Sequence, residues 1–326
     1  MFARRAIIGF STGSRAFSTS TMTQQKLRIA VIPEHFSTPI YLAKKHYGLD
    51  AELIPEPLGT GALTQRLRSG GDDGVDVAVG LTEGFVADLG KAKAVGKSAG
   101  YGLVGTYVET PLCWAISTGA QREDINSVGD LKGGKIGVSR IGSGSFVMPY
   151  VLADQQGWLG KDKEPFSTEV IGNFAALRES VRKEGEKPAT DGFMWEIFTT
   201  KHFYDNGELK RIGEIYTPWP SWMIAARDPK DERLQSMAEK INQGVKHYLE
   251  HPEEAIEHIT STMHYSREDA QAWMKTVKFL ADVRGVDPGV VDNTVSILRK
   301  AGVLDERAGG SEHMVAIKRV ERANTS

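Results

Sequence analysis

Asp130-Leu131-Lys132-Gly133-Gly134-Lys135-Ile136-Gly137-Val138 is followed, after Ser139-Arg140-Ile141, by Gly142-Ser143-Gly144-Ser145. The first stretch reads as a turn feeding a short apolar strand over 136–138. The second reads as a glycine turn that opens a helix running to residue 156. Glycine lets the backbone turn tightly there. The unpaired N–H groups of a helix start, with the hydroxyls of Ser143 and Ser145, then make a ready site for an anion or a carbonyl oxygen. Arg140, just upstream, supplies positive charge for such a ligand. A dinucleotide fingerprint needs Gly or Ala at its sixth position, where this chain has Val147, so a nucleotide-binding turn is disfavoured.

Working outward from this turn, strands and helices alternate on both sides. Towards the N-terminus, strands are predicted over 27–32, 51–55, 76–80 and 101–108, with helices over 39–48, 62–69 and 83–90 between them. Pro39 suits a first helical turn, and Thr82 is placed to cap the helix that begins at Glu83. This alternation predicts an open parallel sheet. Towards the C-terminus, a second unit holds strands over 112–117, 136–138, 168–171 and 192–194. Pro218-Trp219-Pro220 breaks the chain sharply. A strand over 222–226 follows, and then helices over 233–250, 252–263, 267–280 and 288–301. Residues 309–326 read as a poorly ordered tail.

Composition narrows the function classes. The 326 residues are 40% hydrophobic and 25% charged, ordinary for a soluble globular protein, with a formal net charge of −2. No long basic run is present, which argues against a dedicated nucleic-acid binder, and no apolar stretch is long enough for membrane insertion. The single cysteine, Cys113, excludes an internal disulfide or a cysteine metal cluster. At the N-terminus, residues 1–33 contain no Asp or Glu, while Arg4, Arg5 and Arg15 accompany a Ser/Thr-rich run. That is the composition of a mitochondrial transit peptide over 1–23, with a matrix destination.

Other motifs carry less. Gly59-Thr60-Gly61 is a weaker version of the serine–glycine turn, and Gly96-Lys97-Ser98 lacks the glycine spacing of a P-loop. His247 and His251 share a helix face, but spacing supplies no further ligand and Pro252 follows at once. The pair therefore reads as an exposed face, and no metal site is expected. Cys113 lies in an apolar run and reads as a buried thiol. Trp195 and Glu196 close a strand at the end where α/β clefts form, and suit a flat, polar ligand. Trp219 and Trp222 flank the break at 218–221 and read as structural.

Three segments, in this order, resemble the type II periplasmic binding protein superfamily, in its nitrate/sulfonate/taurine and thiamin-pyrimidine branch. They are Pro39-Ile40-Tyr41-Leu42-Ala43 with Tyr47-Gly48-Leu49-Asp50-Ala51-Glu52-Leu53, then Val75-Asp76-Val77-Ala78-Val79-Gly80, then the 130–145 stretch. Fungal stand-alone proteins of this fold are similar. The resemblance implies an α/β, two-lobed fold with a ligand cleft between lobes. The chain would divide into 24–110 (lobe one), 111–221 (lobe two), 222–308 (lobe one again) and a 309–326 tail, with hinges near Thr110 and 218–221. It implies a small-molecule partner, a small polar ligand of anionic or pyrimidine type, and no cofactor. The ligand wall it implies consists of His35, Phe36, Ser37 and Thr38 after the first strand and Leu81, Thr82 and Glu83 after the third. Thr110 at the hinge, Ser143, Gly144 and Ser145 at the second-lobe turn, Asn173 and Trp195 complete it. Arg140 and Glu196 join these from the residue reading above, with Thr82 and Glu196 as directional polar contacts. The alternative is an enzyme of thiamin-pyrimidine precursor metabolism on the same fold. The similar synthases carry a lysine and a histidine after the third strand and a cysteine-rich cluster. Gly80-Leu81-Thr82-Glu83-Gly84 has neither lysine nor histidine, and Cys113 stands alone. A Schiff base to pyridoxal phosphate needs the missing lysine, so no catalytic residue is expected.

Overall fold

A computed structural model describes residues 25–160, 164–182 and 188–320; the leader at 1–23 lies outside them. The strands are β1 (Leu27–Val31), β2 (Ala51–Pro55), β3 (Val77–Leu81), β4 (Gly102–Val108), β5 (Cys113–Gly119), β6 (Lys135–Val138), β7 (Ser167–Val170), β8 (Gly192–Glu196), β9 (Leu209–Tyr216) and β10 (Trp222–Ala226). The helices are α1 (Thr38–Tyr47), α2 (Thr60–Arg68), α3 (Thr82–Ala94), α4 (Gly144–Gln155), α5 (Phe174–Ser180), α6 (Ile197–Asp205), α7 (Arg233–Glu250), α8 (Pro252–Thr262), α9 (Arg267–Met274), α10 (Pro288–Lys300) and α11 (Ser311–Met314).

They form two five-stranded sheets, one per lobe, in the orders β2-β1-β3-β10-β4 and β7-β6-β8-β5-β9. In the first, Ile29 pairs with both Leu53 and Val77 in parallel register. β3, Val77-Ala78-Val79-Gly80-Leu81, is an unbroken apolar run, as a central strand covered on both faces requires. β10 lies antiparallel between β3 and β4, with Ile224 opposite Val79 on one side and Gly105 on the other. In the second sheet β6 is parallel to β7 and β8, and β5 is antiparallel to β8 and β9. The four N-terminal strands thus run in one direction, as the alternation predicts, and β10 makes the first sheet mixed by entering antiparallel between β3 and β4.

The chain passes between the lobes at β4–β5 and at β9–β10, and the two passages are tied together. Ser221 donates to the Thr110 carbonyl from its N–H at 3.2 Å and from its hydroxyl at 2.7 Å. Leu112 N–H donates to Thr217 Oγ1 at 2.9 Å, and Thr217 N–H returns a bond to the Leu112 carbonyl at 3.0 Å.

Three further expectations change. The helix predicted to reach residue 280 stops at Met274, because Phe279 and Gly285 turn to bridge Val108 and Gly105 at the edge of the first sheet. The tail is ordered over 309–320: Val315 bridges Leu103, and Val286 N–H donates to the Ile317 carbonyl at 2.9 Å. Thr82 does not cap α3; its backbone is already helical and its hydroxyl donates to the Pro220 carbonyl.

Candidate functional site

Between the lobes lies a cavity of about 50 Å³, lined from lobe one by Glu34, Gly59, Thr60, Leu81 and Trp222, and from lobe two by Trp114, Arg140, the 143–145 turn, Trp195 and Glu196. It stands at the C-terminal ends of β1, β3, β6 and β8, where α/β folds place ligands.

The second-lobe turn is a self-supporting serine loop. Ser143 caps α4, accepting from Phe146 N–H at 3.3 Å, and its hydroxyl donates to the Arg140 carbonyl at 2.8 Å. Ser145 Oγ accepts from Ser139 N–H at 2.9 Å and lies 2.9 Å from Ser143 Oγ and 3.1 Å from Ser139 Oγ. Both hydroxyls face the cavity wall, but their protons serve the loop. Gly144 has no room for a side chain: a Cβ would sit 2.6 Å from Trp114 Cη2 and 3.0 Å from Glu83 Oε1.

Arg140 reaches from this loop across to the start of α2. A Cβ on Gly61 would lie 2.5 Å from its Nε, so Gly61 admits the guanidinium, while one on Gly59 would be in ordinary contact with its Nη2. Its Nε and Nη2 are buried and have no hydrogen-bond partner among the described residues, as is also true of the indole N–H groups of Trp114 and Trp222. Burial lowers the Arg140 pKa, and nearby Glu56 opposes that. A guanidinium stays protonated under such a shift. The cavity wall therefore holds a positive charge and two unengaged donors.

Two carboxyls face each other across the lobes. Burial, and then the neighbouring Glu196, push the Glu34 pKa up to about 8. Burial pushes Glu196 up to about 7, against bonds it accepts from the N–H and hydroxyl of Thr199 at 2.7 and 2.9 Å. At neutral pH Glu34 is mostly protonated and able to donate.

The residues expected at the wall separate into two groups. Leu81, Arg140, Ser143, Gly144, Ser145, Trp195 and Glu196 do line the cavity. Trp195 also stacks on Phe174, with ring centroids 5.1 Å apart. The others take supporting positions. His35 sits in a cage of Phe36, Tyr265 and Trp273, where burial keeps it neutral; its Nε2 is 3.8 Å from Glu196 Oε2. Phe36 stacks on Trp222 at 4.8 Å. Ser37 donates to the Glu34 carbonyl at 2.7 Å, and Thr38 is buried at the start of α1. Thr82 and Thr110 hold the interlobe passages. Glu83 accepts from Trp219 Nε1 at 2.9 Å beside Gly144, with burial raising its pKa to about 7. Asn173 is exposed and caps α5, accepting from Ala176 N–H at 2.9 Å, so it is no part of the wall. Cys113 is only half-buried, and its thiol is raised to about 11, which leaves it a poor nucleophile.

Sequence reasoning missed Glu34, Trp114 and Trp222 as wall residues. Trp114 and Trp222 lie in strands whose apolar runs suggest core, and only the cross-lobe packing brings them to the cavity. Glu34 follows β1 directly at the strand's C-terminal end, and that position was the available signal.

Two α/β lobes, tied passages and a cavity at strand ends define the periplasmic-binding-protein class of folds. The profile of the family described as Ca3427-like periplasmic binding proteins matches residues 114–215. The Candida albicans CA3427 gene product, described as defining a new family with the generic periplasmic binding protein fold, is 42% identical; the match covers 87% of this chain and 93% of that one, with a TM-score of 0.76. The chain belongs to this family. The alkanesulfonate-binding protein SsuA of Xanthomonas axonopodis pv. citri, bound to MOPS, is 15% identical over 89% of this chain and 98% of its own, with a TM-score of 0.67. SsuA of Escherichia coli is 16% identical over 85% and 91%, with a TM-score of 0.61. These two share the fold. No curated protein matches the chain significantly.

Proposed function

We propose that this chain is a stand-alone binding protein that closes its lobes around a small oxyanion, a carboxylate, sulfonate or phosphonate. The observation that carries this reading is the Arg140 guanidinium, whose Nε and Nη2 are buried without a partner at the interlobe cavity. Buried donors left unpartnered cost about 1–3 kcal/mol, and an anion in the cavity relieves that cost. Trp114 and Trp222 add indole donors, and protonated Glu34 adds a third. The cavity is small, with space for roughly three to five waters on the usual volume per water, which favours a ligand of few atoms over a large apolar one. SsuA, a protein of the same fold, is described as binding MOPS, a sulfonate; the oxyanion assignment here rests on this chain's own donors.

The test is a thermal-shift panel on the full chain with short carboxylates, sulfonates, phosphonates, pyrimidines and fatty acids. Small oxyanions should raise the melting temperature of the wild type and leave Arg140→Ala unmoved. Stabilisation by pyrimidines or fatty acids alone overturns the reading.

We also propose that the chain acts in mitochondria, on the strength of the acid-free, arginine-bearing residues 1–23. A C-terminally tagged chain should co-fractionate with mitochondria, and deletion of 1–23 should release it to the cytosol. An unchanged location after deletion contradicts import through this segment.

A further inference from the structure

His247, read from the sequence as part of an exposed helix face, is in fact buried where three helices meet. It lies in the last turn of α7, His46 in the last turn of α1, and Glu254 in the first turn of α8. The two imidazoles stack nearly parallel, with centroids 4.4 Å apart and an interplanar angle of 15°. Both aim Nε2 at the same carboxylate: His46 Nε2 is 2.7 Å from Glu254 Oε1, and His247 Nε2 is 2.8 Å from Oε2. The three ligand atoms lie within 4.8 Å of one another. None of these residues lines the interlobe cavity.

We propose that His46, His247 and Glu254 form a three-ligand site for one divalent transition-metal ion of the zinc type. Two imidazole nitrogens and a carboxylate oxygen are the donor set of a borderline-soft ion, with bonds of about 2.0–2.2 Å and a fourth, tetrahedral position open to water. Tetrahedral ligands at that radius stand roughly 3.3 Å apart. The observed contacts of 2.7 and 2.8 Å need to open by about half an ångström, and the near-parallel rings need to turn so that both Nε2 lone pairs meet at one point. Tyr47 supplies the outer partner: its Oη is 2.9 Å from His247 Nδ1. With the ion on Nε2, the ring proton sits on Nδ1 and is donated to Tyr47, which fixes tautomer and ring orientation. The opposing feature is Lys45, whose Nζ lies 2.6 Å from Glu254 Oε1. Its side chain is 64% of its maximum area in contact with water, so it can withdraw at little cost. The ion would clamp the end of α1 to the α7–α8 corner.

The experiment is a Zn²⁺ titration of the tag-free, chelator-stripped full chain against a chromogenic competitor, with Co²⁺ absorption as a second readout. The wild type should take up one equivalent of Zn²⁺ and give the intense visible band of tetrahedral Co²⁺. His46→Ala alters a partly exposed ligand, and Glu254→Gln keeps the side-chain shape. Each should weaken Zn²⁺ at least tenfold and abolish the Co²⁺ band, while far-UV circular dichroism stays unchanged. Lys45→Ala should bind Zn²⁺ more tightly than the wild type. Absence of stoichiometric uptake by the wild type, or uptake that survives undiminished in both ligand variants, overturns the proposal.

Discussion

The proposed oxyanion site turns on Arg140. Its guanidinium lies between the lobes against Gly59 and Gly61, with two nitrogens lacking partners. A hydrogen bond to a charged group contributes about 1.5–3 kcal/mol, so Arg140→Ala should lower affinity for a small oxyanion roughly 10- to 150-fold by calorimetry. Trp114→Phe removes the indole N–H together with the outer-ring atoms that pack on Gly144. With a neutral hydrogen bond contributing about 0.5–1.5 kcal/mol, the loss should be at least roughly 2- to 12-fold. Equal affinity in both variants and the wild type would remove these donors from the site. Arg140 was legible in the sequence because charge next to a helix-opening turn is a local pattern. Trp222 was not. Its place beside the Pro218-Trp219-Pro220 break gives a structural reading, and its ring does stack on Phe36. Its role at the cavity depends on β10 lying between β3 and β4, which no short-range pattern encodes.

At the level of elements, the 143–145 turn is a cap first and a ligand wall second. Ser143 accepts from Phe146 N–H and donates to the Arg140 carbonyl, so it fixes both the start of α4 and the loop that carries Arg140. Loss of such a cap costs about 1 kcal/mol. Ser143→Ala should therefore lower unfolding free energy by about that amount in chemical denaturation and weaken ligand through Arg140. A variant of unchanged stability would show that the cap is idle. The turn, β6 and the long C-terminal helices were readable because each is contiguous and strongly patterned. β9 was not read as a strand. Its apolar residues Leu209, Ile212 and Ile215 stand three apart, a helix-like spacing, and a bulge opposite Ile116 and Ser117 accommodates them. The order of the tail is not legible in the sequence because its partners are distant: Val315 bridges Leu103 and Lys318 bridges Val286.

For the whole molecule, Glu34 from lobe one and Glu196 from lobe two lie close enough to repel, so pH acts on the stability of the fold. The folded pKa of Glu34 is about 8 against an ordinary 4.5. Between these values the folded chain holds a proton that the unfolded chain has lost. The contribution of Glu34 to stability is therefore full below about pH 4.5 and declines as pH rises towards 8. Glu196, at about 7, adds to the same decline. The melting temperature of the ligand-free protein should fall from pH 5 to pH 8, and Glu34→Gln should flatten that fall. A melting temperature that rises over this range contradicts the assignment. Affinity for an oxyanion should fall over the upper part of the range, as donating carboxyls become repelling carboxylates.

The central claim is that the interlobe cavity holds a small oxyanion on Arg140. Native mass spectrometry of the gently purified, full-length protein tests it most directly. The expected result is one small acidic molecule bound per chain, released on collisional activation and missing from Arg140→Ala. A neutral or large apolar adduct, or the same adduct retained by Arg140→Ala, would contradict it.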